Sequence, residues 1–184
     1  MGVFDFLRGN KGKEEASFDP LNIRVEDLKK GDLFDYKLET WSVLEEFEYD
    51  WGSECFTKEL LIEAGKERKY LTIDIEDGLE LTIQDKIKLR SLDENFVDHL
   101  LSAQEPLKKL SHDGIKYYID SKNYGYYRNV NTSSKGEECI SWDFYDADEV
   151  HVITIDQWGD SEFEVSAGKV VKPNEISDIL PKSK

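Results

Sequence analysis

The feature that most constrains this fold is a series of short strand-like segments that occurs twice along the chain. The segments alternate apolar and polar residues, as in YLTIDI and HVITID, and turn residues such as Asp-Gly separate them. Alternation with a period of two is typical of antiparallel strands with one buried face. The sequence therefore predicts a mainly β fold with minor α structure, made of two repeated antiparallel β units shaped as small barrels or sandwich-like meanders.

The two series also match each other residue by residue. Three matches carry the comparison: Glu54-Cys55 with Glu138-Cys139, Thr72-Ile73-Asp74 with Thr154-Ile155-Asp156, and Glu80 with Glu162. We interpret them as an internal duplication, with the two units related by a pseudo-two-fold axis and burying the face that each would expose alone. The alternative is that two unrelated meanders share the same alternation.

The pattern divides the chain into four parts. Residues 1–24 form an N-terminal segment and tether, residues 25–92 the first β repeat, residues 93–112 a linking helix, and residues 113–184 the second β repeat with a short C-terminal helix. Apolar residues at helical spacing predict the linking helix, and Pro173 suits the first turn of the terminal helix.

Residues 2–8, GVFDFLR, place apolar side chains on one face of a short helix. We favour docking of this element on the protein's own core, because so short a helix is marginal alone. The alternative is peripheral contact with a membrane surface.

The charge of the chain excludes some partners. With 40 acidic and 24 basic residues, the net charge of −16 repels phosphate backbones, so we expect no nucleic-acid partner. No apolar run approaches the roughly 18–20 residues of a membrane-spanning helix, and the N-terminus lacks the apolar core of a signal peptide. These features predict a soluble, cytoplasmic protein with no transmembrane segment.

Motifs that would indicate metal or cofactor chemistry are absent from the sequence. Its three histidines, His99, His112 and His151, do not have the spacing of a metal site, and its two cysteines are too few for a zinc cluster or a disulfide framework. Glycine-rich phosphate-binding motifs do not occur. We therefore predict no metal, no cofactor and no catalytic residue.

Aromatic residues are concentrated in the second half and give the best candidate site. Adjacent residues of a strand face opposite sides, so pairs such as Tyr117 and Tyr118 cannot both be buried in one core. Exposed rings flanked by acids can bind a peptide, a sugar face or a cationic amine. The predicted ligand-binding residues are Tyr118, Tyr126, Trp142 and Trp158. The alternative, which the pattern favours, is that the rings pair across strands and stiffen the sheet.

Residues 25–90 resemble a known family in the order of their parts. Gly31-Asp32 follows a turn, a short hairpin carries Trp41, and a later strand reads Tyr70-Leu71-Thr72. In these features the chain resembles the bacterial family called domain of unknown function 4178, with a weaker echo in residues 114–171. The resemblance implies a bacterial protein and transfers no catalytic residues.

Together these observations predict a non-enzymatic protein- or ligand-binding module. The alternative is an enzyme or small-molecule binder with a cleft between the two β repeats. For that alternative, Asp74 and Asp156, at matched positions, are the paired carboxylates that the sequence offers.

Overall fold

Antiparallel strands make up most of the described residues. The computed structural model describes residues 23–160 and 162–182. Its strands are β1 (Leu33–Tyr36), β2 (Glu39–Gly52), β3 (Cys55–Ala64), β4 (Glu67–Asp74), β5 (Glu80–Ile87), β6 (Lys109–His112), β7 (Ile115–Asn129), β8 (Glu137–Asp146), β9 (His151–Trp158), β10 (Glu162–Val171) and β11 (Ile176–Leu180). One α-helix, α1 (Glu94–Ala103), and short 3₁₀ turns at Val25–Asp27, Leu89–Ser91 and Pro173–Glu175 complete the described elements.

Eight of the strands close into a barrel. The strands are hydrogen-bonded in the order β11-β1-β2-β3-β4-β5-β10-β9-β8-β7-β6, and β2 pairs additionally with β7. This extra pairing closes the ring from β2 through β5 and β10 back to β7, whereas β1 and β11 extend the sheet beyond β2, and β6 extends it beyond β7. The prediction of a mainly β fold is confirmed, and the internal duplication stays a prediction.

Both faces of the barrel wall are buried, but they differ in character. On β3, Leu60 and Ile62 face outward into apolar packing, and the alternate residues Thr57 and Glu59 face the interior. Neighbouring strands repeat this alternation because successive side chains of a strand point to opposite faces. The interior of the barrel is therefore polar, and the apolar cores lie outside its wall.

Two separate apolar clusters cover the outer face. The first is closed by β1 and β11 and contains Phe34, Trp41, Leu60, Leu71, Leu81 and Ile176. The second lies under α1 and contains Phe96, Leu100, Trp142, Phe144 and Ile155. Burial of each such side chain contributes about 1.5–3 kcal/mol, so these clusters and not the interior supply the apolar stabilisation.

Helix α1 is shorter than the helix predicted over residues 93–112. It begins after Asp93, whose side chain accepts a hydrogen bond from the Phe96 amide at 3.2 Å, and it ends at Gln104 in a left-handed conformation. Pro106 cannot continue a helix, and the following residues form β6, which pairs with β7.

The turns also differ from the sequence expectation at two places. The sequence LFDYKL-ET-WSVLEEFEY predicts a two-residue break at Glu39-Thr40, but the turn lies at Lys37-Leu38, both with positive φ. The polar residues Ser121 to Asn123 predict a turn between two strands, and this prediction is wrong, because β7 continues through them with an irregular register just before Ser121. A bend inside one strand and a turn between two strands carry similar polar residues, which explains the error.

The C-terminal helix predicted after Pro173 is also absent from the described part of the chain. Pro173–Glu175 form a single 3₁₀ turn, and Ile176–Leu180 continue as β11, which pairs with β1. The predicted helix at residues 2–8 lies outside the described residues. Among the described residues, no helix has the length and apolar character needed to cross a membrane.

Candidate functional site

The interior of the barrel contains a polar cavity of about 100 Å³, which we call the lumen. Side chains from most of the barrel strands line it, among them Glu59, Thr72, Gln84, Asp143, Asp156 and Ser166. A barrel of eight strands leaves an interior that side chains fill or that holds one small ligand. The lumen has room for several water molecules or for a molecule with a few non-hydrogen atoms.

Asp156, on β9, is the most deeply buried carboxylate of the lumen, with 2% of its surface exposed. The Tyr49 hydroxyl donates a hydrogen bond of 3.4 Å to Oδ2 of Asp156, and the Lys86 ammonium lies 4.0 Å from the same oxygen. The second oxygen, Oδ1, accepts no hydrogen bond from the described residues. One buried acceptor of the carboxylate is therefore left unpaired inside the lumen.

Burial raises the pKa of Asp156 to about 7. The Lys86 ammonium and the Ser141 hydroxyl oppose this shift, and the nearby Glu59 and Asp143 carboxylates add to it. Lys86 is shared, since its Nζ also lies 3.0 Å from Oε2 of Glu164. A single lysine therefore does not compensate the buried carboxylates around it.

Glu59, on β3, is the second buried carboxylate. The Tyr127 hydroxyl donates a hydrogen bond of 2.8 Å to its Oε1. Burial raises the pKa of Glu59, and Lys86 and the Tyr127 hydroxyl counteract that shift in part.

Gln84, on β5, presents a second unpaired acceptor. Its amide nitrogen donates to the hydroxyl oxygens of Thr82 and Thr154, both at 3.2 Å. Its carbonyl oxygen Oε1 accepts no hydrogen bond from the part of the chain that the structure describes. Gln84 and Asp156 thus offer the same cavity two buried acceptors, and a group that fills it must supply donors.

Hydroxyl donors hold a third carboxylate in the wall. Asp143, on β8, accepts from Thr154 Oγ1 at 2.7 Å and from Ser121 Oγ at 2.9 Å. Burial raises the pKa of Asp143, and both hydroxyl hydrogen bonds lower it in part. Within residues 23–160 and 162–182, no group of three His, Cys, Asp or Glu side chains has the arrangement of a metal site.

The lumen adjoins a wider acidic cleft of about 610 Å³, which we call the mouth. The two share Asp74, Glu80, Asn123, Asp143 and Tyr145 in their walls. Among the described residues, seven carboxylates and no lysine or arginine line the mouth, the carboxylates being those of Asp74, Glu76, Asp77, Glu80, Asp120, Asp143 and Glu149. The electrostatic potential of such a cleft attracts cations toward the lumen.

The four aromatic residues predicted from the sequence are not brought together. Tyr118 and Tyr126 are exposed on β7, where Tyr118 lies under the Lys109 ammonium and the Tyr126 hydroxyl donates to Glu138 at 3.3 Å. Trp142 is fully buried in the second apolar cluster. Trp158 is partly buried, with its ring centroid 5.2 Å from that of Tyr127. Their role as a ligand site stays a prediction.

The two carboxylates named for the alternative site do line one cavity, since Asp74 and Asp156 both belong to the lumen wall. The sequence pattern does not indicate Glu59, Gln84 or Lys86 as site residues. Glu59 alternates with buried apolar residues on β3, but an exposed strand face gives the same pattern. No sequence signal marks Gln84 as buried.

Comparison with known proteins gives a family and one full-length relative. The family model described as "Domain of unknown function (DUF4178)" matches residues 29–173. A protein of Aquifex aeolicus (strain VF5), titled "Uncharacterized protein", is 26% identical over 185 residues, which cover 99% of this chain and 100% of the relative. No solved structure matches the chain. The family model covers most of the chain, including all of the barrel strands. The chain therefore belongs to the family of the domain of unknown function DUF4178.

Proposed function

We propose that this protein is a non-enzymatic binding protein that holds a small organic cation, an amine, in its lumen. One observation carries the proposal: Asp156 Oδ1 and Gln84 Oε1 are buried acceptors without a donor, and both residues line the same cavity. A buried acceptor left unpaired costs about 1–3 kcal/mol. A protonated amine carries several N–H donors and would satisfy both oxygens.

The charge of the lumen supports a cation over a neutral donor. Its wall carries the carboxylates of Glu59, Asp74, Glu80, Asp143 and Asp156. Lys86 is the basic side chain that reaches Asp156, and it is divided between that residue and Glu164. Buried carboxylates stay ionised at low cost only when a positive group is close. A bound ammonium would supply that charge.

The position of the lumen also fits the internal duplication, which we propose as the origin of the fold. Strands β1–β5 and β6–β10 follow one another in the same order, and the barrel closes where β5 pairs with β10 and β2 with β7. Across neighbouring strands Asp74 pairs with Glu80, and Asp156 pairs with Glu164. If Asp74 and Asp156 are equivalent, the counterpart of Glu80 is Glu164, and not Glu162 as the sequence match gave. The lumen would then lie between the two units, as the sequence-based alternative expected.

The first experiment is a calorimetric titration with butylamine near pH 8, where this amine is protonated and Asp156 is mostly ionised. We expect butylamine to bind and butan-1-ol, a neutral molecule of similar shape, to bind at least tenfold more weakly. Asp156→Asn should weaken butylamine binding about tenfold or more, because a hydrogen bond to a charged group contributes about 1.5–3 kcal/mol.

Asp98→Asn is the matched control, because Asp98 is exposed on α1 and does not line the lumen. It should bind butylamine as the unmodified protein does. Equal binding of butan-1-ol and butylamine, or equal affinities of the Asp156→Asn and Asp98→Asn variants, would contradict the proposal.

A further inference from the structure

The lumen and the mouth adjoin each other through five shared wall residues, and together they outline a path with carboxylates at both ends. Asp156 lies at the inner end, and Glu80 and Asp74 belong to the walls of both cavities. The mouth adds carboxylates that the lumen lacks, including Asp77 and Asp120. A ligand with one positive group would use one end of this path and leave the other without a counter-charge.

The sheet register gives the length of the path. Asp156 lies four residues beyond Val152 on β9, which is about 13 Å at about 3.3 Å per residue. Val152 pairs with Tyr145, whose hydroxyl donates to Glu80 Oε1 at 2.5 Å. On β5, Gln84 lies between these two ends, since its amide nitrogen donates to Thr154, two residues before Asp156. Asp156 and the carboxylates of the mouth are therefore separated by on the order of 13 Å.

The wall between the two ends suits a slender aliphatic chain. Thr72, Thr82, Val152 and Thr154 line it, together with the Asp143 carboxylate. The hydroxyls of Thr154 and Ser121 already donate hydrogen bonds to Asp143.

We propose, on the basis of the amine-binding function above, that the ligand class is a linear diamine or polyamine. Its inner ammonium contacts Asp156 and Gln84, its methylene chain extends from the lumen into the mouth, and its outer ammonium is held by the carboxylates of the mouth. Charges at the two ends of one chain match carboxylates at the two ends of the path.

The test compares octylamine with 1,8-diaminooctane, two ligands of equal chain length that differ in the second positive group. Calorimetry near pH 8 at fixed ionic strength should show that the diamine binds at least tenfold more tightly. The triple variant Asp77→Asn, Asp120→Asn, Glu149→Gln removes three charges that line the mouth but not the lumen, and it keeps the side-chain shapes. It should reduce diamine affinity toward that of octylamine and leave octylamine affinity unchanged. Glu39→Gln is the control, because Glu39 is exposed on β2 and lines neither cavity.

The outcomes separate this inference from the function on which it rests. If both octylamine and the diamine bind through Asp156 with equal affinity, the amine-binding function holds and the diamine inference is overturned. If the triple variant binds the diamine as the Glu39→Gln control does, the assignment of the outer ammonium to the mouth is overturned. If neither amine binds the unmodified protein, both proposals fail. If the Asp156→Asn variant binds the diamine as tightly as the unmodified protein does, the diamine is held only by non-specific attraction to the acidic surface. That result would also overturn the inference.

Discussion

At the scale of single residues, burying charged side chains in the lumen costs free energy. Burial raises the pKa of Asp156 to about 7, so the folded protein holds a proton there that the unfolded chain, with a carboxyl pKa of about 3.9, has already released. The lysine Lys86 opposes the shift, and the other titratable groups that interact with Asp156 are Glu59, Asp143, Tyr49, Tyr127 and Cys139. Ionised Asp156 therefore destabilises the folded protein when no ligand is bound. A cation that binds beside this carboxylate would offset that free-energy cost.

The sign of this effect gives a prediction for stability against pH. A raised pKa in the folded state contributes stability that is complete below about pH 4 and is lost as the pH rises through about 7. Compared with Asp156→Asn, the unmodified protein should lose free energy of unfolding across this window, by about 1.4 kcal/mol for each unit of pKa shift. Urea unfolding of both proteins at about pH 5 and about pH 8 measures the difference. A constant gap between the two proteins, while Asp98→Asn behaves as the unmodified protein, would show that Asp156 titrates normally.

At the scale of elements, the barrel depends on two seams where strands approach closely. At the first seam Gly168 of β10 lies opposite Gln84 of β5, and a Cβ at position 168 would lie 2.6 Å from the Gln84 Cα and would also contact the Ile83 carbonyl oxygen. At the second seam a Cβ on Gly125 of β7 would lie 2.7 Å from the Trp51 ring. Both seams therefore require glycine for space.

Gly168→Ala should destabilise the fold by about 1–3 kcal/mol, because the added methyl group meets backbone atoms that cannot move aside. The matched control is Lys169→Ala, one residue further along β10, where the side chain is exposed. Thermal and urea unfolding should show a lower midpoint for Gly168→Ala than for Lys169→Ala. Identical midpoints would mean that β5 and β10 are not packed as closely as described.

Part of this architecture could be predicted from the sequence, and part could not. Alternation identified the strands, and Asp77-Gly78 correctly marked the β4–β5 connection. Alternation cannot tell a polar face in solvent from a polar face inside a barrel, so Glu59 went unnoticed. Trp142 was expected in an exposed site because nothing local shows that α1 covers its strand face. Lys37 and Leu38 gave no turn signal, since neither residue type favours positive φ.

At the scale of the whole molecule, the end of the chain completes the packing of its beginning. Strand β11 pairs with β1, and Val171 and Ile176 belong to the first apolar cluster, which otherwise comes from residues 25–83. The second cluster draws instead on α1 and on β6–β10. The first β unit therefore lacks part of its core without the last strand.

A fragment of residues 1–92 should consequently fail to fold alone, and mixing it with residues 93–184 should restore structure. Amide chemical-shift dispersion and near-ultraviolet circular dichroism measure this for each fragment, for the mixture and for the intact chain. Cooperative unfolding of the isolated first fragment would show that β11 is dispensable for the first cluster.

The placement of the apolar clusters outside the wall has a consequence for how this protein can change. In most small barrels the interior is the core, and altering a pocket there risks the whole fold. Here the apolar side chains that stabilise the wall, including Leu60, Ile62 and Phe144, lie on its outer face. The side chains that line the lumen add little apolar stabilisation. Residues that line the lumen can therefore change during evolution with little loss of the apolar packing that stabilises the barrel.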